Sequence, residues 1–72
     1  MTPEYIEILL KLTKVSSREV VAATIDHLSN GLSQLDAAAA HGVKQESVAR
    51  LVKRLRELDA IVVEAITVKL KI

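Results

Sequence analysis

The sequence predicts an all-α fold, a small helical bundle that ends in a short segment reading as a strand or an extended tail. Three observations predict it. Apolar residues recur at three- and four-residue spacings through most of the chain. Helix-starting residues precede three of these stretches, at Thr2-Pro3, Ser16-Ser17 and Ser33. The two glycines, Gly31 and Gly42, each follow the end of an apolar period, where a left-handed residue terminates a helix.

The first helix is expected over about 3–13. Thr2 can cap it, Pro3 fits its first turn, and Glu4 lies at the positive end of its dipole. Tyr5, Ile6, Leu9, Leu10 and Leu12 form its apolar face. A second helix follows a capping box with Ser16 as cap and Glu19 three positions on. It carries Val20, Val21, Ala23, Thr24, Ile25 and Leu28 and stops at Gly31. Ser33 and Asp36 repeat the start signal for a third helix over roughly 34–41, in which Ala37 to Ala40 are strong helix formers and also small. A fourth helix starts near Lys44 or Gln45. Its buried stripe is Val48, Leu51, Val52, Leu55 and Leu58, and Arg50, Lys53, Arg54 and Glu57 lie opposite.

Residues 59–65 fit a continuation, a new helix or an extended segment. In residues 66–72, ITVKLKI, Ile66, Val68, Leu70 and Ile72 alternate with Thr67, Lys69 and Lys71, a strand pattern. A lone strand needs a partner, so a frayed tail is an equal reading.

At 72 residues the chain is one domain with a small core. Domains of this size usually need a disulfide, a metal or a partner subunit. With no cysteine and only His27 and His41, self-association is the expected source of extra stability, and no metal or cofactor is expected. The apolar residues of the first two helices exceed what one small core covers, so Ile6, Leu10, Val20 and Val21 are the expected association residues of a homodimer or higher oligomer. Absence of cysteine fits the cytoplasm. No apolar run is long enough to span a bilayer, and no basic segment followed by an apolar run suggests a secretory leader. No catalytic constellation and no small-molecule site are evident, so an enzyme is not expected.

The formal charge is +1, but it is unevenly placed. Residues 1–43 carry three basic and five acidic groups, and residues 44–72 carry seven and four. Within 44–56, Lys44, Arg50, Lys53, Arg54 and Arg56 face Glu46 alone. Such a stripe suits a phosphate backbone, although solvated helix faces also look like this. With Tyr5 the only aromatic residue, a stacking platform for single strands is excluded.

The stretch 33–56 carries the geometry of a helix-turn-helix reader of double-stranded DNA. A small residue, Ala38, stands where the helices cross. Gly42 turns the chain four positions later, Val43 anchors the turn, and Val48 and Leu51 hold the second helix to the first. An ordinary helical hairpin uses the same turn. On the DNA reading, residues at the start of the fourth helix enter the major groove. Lys44 and Ser47 reach base or phosphate, Gln45 suits adenine and Arg50 suits guanine. Lys53, Arg54 and Arg56 meet phosphates, as do Ser33 and Gln34 at the start of the third helix. Glu46 either accepts from a cytosine amine or, the favoured expectation, turns away to pair with Arg50, and His41 is expected to meet helix-end carbonyls or water.

From about Glu4 to Val62, the segments EYIEILLKL, SSREVVAATIDHLSNG and GLSQLDAAAAHGVKQESVARLVKRLREL resemble the fimbrial adhesin-biosynthesis transcription regulators of the PapB and FocB type. Ala38, Gly42, Val43 and Val48 are also similar to the core of plasmid TrfB/KorA-type repressors. Either resemblance implies an all-helical, oligomeric, DNA-binding regulator of an operon. The competing expectation is a small helical protein–protein adaptor or anti-activator whose basic stripe faces an acidic protein.

Overall fold

The computed structural model describes residues 1–15 and 17–71. Four helices follow one another: α1 (Pro3–Leu10), α2 (Arg18–Asn30), α3 (Gln34–Ala40) and α4 (Gln45–Leu70). No strand occurs among the described residues.

Caps set most of the boundaries. Thr2 Oγ1 accepts from the Tyr5 amide at 3.2 Å, and Pro3 occupies the first turn of α1. That helix is shorter than expected. Its last turn tightens, with the amides of Lys11, Leu12 and Thr13 each bonding the carbonyl three residues back. The Thr13 hydroxyl also takes the Leu10 carbonyl, which competes with further α-helix. The cap of α2 is Ser17, whose hydroxyl accepts from Val20 N at 3.3 Å. With Ser17 as cap, Glu19 falls one position short of a capping box. The expected cap, Ser16, lies outside the described residues. Gly31, at φ 78°, closes α2, and its amide and that of Leu32 both reach the Asp26 carbonyl.

The long fourth helix corrects the strand-or-tail expectation for residues 66–72. Residues 66–70 continue α4 without a break, and Lys71 caps it; Ile72 lies outside the described residues. A strand would have to find a partner, and no other strand lies among the described residues. Continuing a helix costs no new nucleus, because each added residue gains one hydrogen bond. Thr67 fits because its hydroxyl donates to the Val63 carbonyl at 2.8 Å.

Two apolar clusters meet along α4. In the first, Ile6 and Leu9 of α1 enclose Leu51, Leu55 and Leu58, with Val20, Val21, Ile25 and Leu28 of α2 against them. In the second, Ala23 of α2 and Ala37 and Ala38 of α3 meet Val48 and Val52. Three alanines there keep the backbones close, so α2, α3 and the first half of α4 form one tight unit. The buried Thr24 hydroxyl is satisfied by the Val20 carbonyl at 2.7 Å. Each fully buried aliphatic side chain contributes about 1.5–3 kcal/mol.

This packing also removes Ile6 from the expected association residues. Ile6 is 0% exposed inside its own chain. Leu10, Val20 and Val21 are half-buried against the same cluster. The reason is that α1 lies across Leu51, Leu55 and Leu58 and uses its apolar stripe within the chain. The large exposed apolar side chains lie elsewhere, five of them on the last turns of α4: Ile61, Val63, Ile66, Val68 and Leu70. The molecule measures 46 × 24 × 18 Å. A 26-residue helix is roughly 39 Å long, so α4 sets the long dimension.

Candidate nucleic-acid interface

The turn between α3 and α4 is built from the backbone outward. Ala40 ends α3, His41 is the cap, and Gly42 takes φ 66°. The Gly42 amide bonds the Ala39 carbonyl at 3.3 Å, and the Val43 amide bonds the Ala38 carbonyl at 3.0 Å. This pair of bonds satisfies helix-end carbonyls, and it requires the left-handed residue that glycine supplies without strain. Val43 then packs against the alanine cluster, and the chain enters α4 at Gln45.

A side-chain lock braces the turn. His41 Nε2 donates to Asp26 Oδ2 at 2.6 Å, and Asn30 donates to Asp26 Oδ1 at 2.8 Å. His27 Nδ1 donates to the Leu32 carbonyl at 2.7 Å, which fixes the proton on that nitrogen. The bond from His41, then that from Asn30, holds the Asp26 carboxyl below its usual range. The sequence reading gave His41 a helix-end carbonyl or water. It meets Asp26 because the close α2–α3 packing brings two positions fifteen residues apart together.

The start of α4 is unusual for a stable helix. Its cap is Lys44, which makes no side-chain capping bond. A cation there opposes the dipole, and a serine or aspartate would stabilise the helix more. Local stability therefore does not explain Lys44.

Lys44, Gln45, Glu46, Arg50, Lys53 and Arg54 are all exposed, and Ser47 is half-buried. The basic residues divide between two sides of α4. Ser47, Arg50 and Arg54 share a concavity of about 390 Å³ with Lys14, Val15 and Ser17 from the α1–α2 connection. Lys53 and Arg56 share another, of about 540 Å³, with Gln34 of α3. Gln34 thus joins the fourth-helix cations. Ser33 is exposed, and its oxygen already accepts from the Asp36 amide at 3.0 Å. Lys14 is a member the sequence reading missed. It sits outside any helix, where no periodicity marks it.

Arg50 Nε bonds the backbone carbonyl of Glu46 at 3.5 Å, and the expected pairing with the Glu46 carboxylate does not form. The four-residue spacing places the guanidinium over the preceding turn, within reach of its backbone. Arg54 approaches Glu57 at 3.7 Å, with both side chains about half exposed, a contact worth little in water. Arg50 and Lys53 make no ion pair among the described residues. No helix among those residues is long and apolar enough to cross a membrane. No protein-family model, curated protein or solved structure matches the chain.

Proposed function

We propose that this chain is a sequence-specific double-stranded DNA-binding regulator of transcription, with α3 and α4 acting as a helix-turn-helix. The observation that carries the reading is the exposed, uncapped, lysine-led start of α4, whose aliphatic side is anchored on Ala37 and Ala38. Gln45 and Arg50 stand where such a helix reads base edges. Lys14 and Arg54 lie on one side of α4 and Lys53 and Arg56 on the other, and on this reading they meet the phosphates that flank the groove. A cation at the cap is costly to the isolated helix, and a phosphate beside it reverses that cost. Action on an operon in the manner of the fimbrial or plasmid regulators is the finer form of this proposal and rests on the residues quoted above.

Selection of bound duplexes from a random pool, repeated at several salt concentrations, tests it. The reading requires an enriched sequence and steep weakening as salt rises. A helical adaptor for an acidic protein, the competing reading, enriches no duplex even at low salt.

A further inference from the structure

We infer that the C-terminal half of α4 is a self-association helix, in which Ile61, Ala65 and Val68 pack against the same residues of a second copy running parallel. The inference needs no DNA and stands apart from the reading above.

Beyond Leu58 the helix leaves most of its own chain behind. Leu58 is 6% exposed, whereas Ile61 and Val68 are 57% and 56% exposed. Residues 59–70 extend about 18 Å at the helical rise. Ile61, Ala65 and Val68 follow at four- and three-residue steps, the spacing of a two-helix seam. The small Ala65 leaves a shallow concavity edged by Ile61, Glu64, Val68 and Lys69, suited to a side chain of the facing helix.

Charge selects the occupant and its direction. Glu64 and Lys69 flank this seam on opposite edges, and neither is in an ion pair among the described residues. With Ala65 as an a position and Ile61 and Val68 as d positions, Glu64 is a g position and Lys69 the next e position. Parallel in-register helices bring each g side chain to the partner's following e side chain, so Glu64 of each copy meets Lys69 of the other. A second copy supplies this match twice by symmetry. The other exposed apolar residues of this segment, Val63, Ile66 and Leu70, fall on a different side of the helix, where the heptad positions pair no opposite charges.

The test is sedimentation of the full chain without DNA. The expected mass is twice 7.9 kDa. Ile61→Glu with Val68→Glu gives single chains of unchanged far-UV helicity in the N-terminal bundle, and Val63→Glu remains paired. Glu64→Lys or Lys69→Glu alone weakens pairing, and the double exchange restores it. Because the chain has no cysteine, Val68→Cys reports direction cleanly: facing d positions of a parallel pair form the intermolecular disulfide on oxidation. A wild-type chain that stays single at high concentration overturns the inference. So does pairing that survives the Ile61 and Val68 changes, or a Val68→Cys pair that does not cross-link.

Discussion

The imidazole of His41 sits 2.6 Å from the carboxylate of Asp26, joining the residue that caps α3 to the last turns of α2. This contact holds the turn from which α4 emerges, and so fixes the direction in which the basic face points.

The contact makes stability depend on pH in a defined direction. The folded Asp26 carboxyl titrates below its ordinary value, chiefly because His41 donates to its charged form. Its stabilisation is therefore present above the unfolded carboxylate value and lost as pH falls through the folded one. The melting-temperature gap between wild type and Asp26→Asn should be open well above pH 4 and close below about pH 4. A gap that widens in acid contradicts the assignment.

Gly42→Ala should destabilise by about 1–2 kcal/mol in urea unfolding, entirely through the backbone. A Cβ at Gly42 would meet nothing within 4 Å, so crowding adds nothing. Gly42→Asn should cost less, because asparagine tolerates the left-handed region. Equal stability of Gly42→Ala and wild type would remove the turn from the account.

Lys44→Ser should separate folding from binding. A serine cap adds about 0.5–2 kcal/mol of stability where no cap bond now exists. The same change removes a cation from the proposed phosphate contact, so duplex affinity should fall. A variant that is both more stable and binds as well as wild type shows that Lys44 has no part in binding.

Leu55→Ala should cost about 2–5 kcal/mol, a large share of the total for a domain this small. Leu55 of α4 is 0% exposed, packed in the cluster with Ile6 and Leu9 of α1. Leu35, 61% exposed on α3, should tolerate alanine almost without effect. Similar denaturation midpoints for the two variants would be inconsistent with this core.

Much of the fold is legible in the sequence because short-range chemistry sets it. Thr2, Ser33, Gly31 and Gly42 act on backbone groups a few residues away, and each occupies its expected position. The stripe from Val48 to Leu58 is buried because its spacing leaves no other face to bury. What failed was ambiguous locally. ITVKLKI alternates over seven residues, yet residues 61, 65 and 68 share one side when the preceding helix carries on. Ile6 reads as surplus apolar surface until α1 is placed across α4. Lys14 and the Asp26–His41 pair emerge only from the approach of distant segments. The basic face of α4 was legible as a stripe; its division between two flanking concavities was not.

The salt dependence of duplex binding tests the central claim most directly. The account predicts that log K falls linearly with log salt for the selected duplex. Lys53→Ala and Arg54→Ala should each flatten that slope by about one unit. Arg50→Ala should instead lose about 1–3 kcal/mol of discrimination between sequences. Absence of duplex binding at low salt, or a slope that none of these substitutions changes, would contradict it.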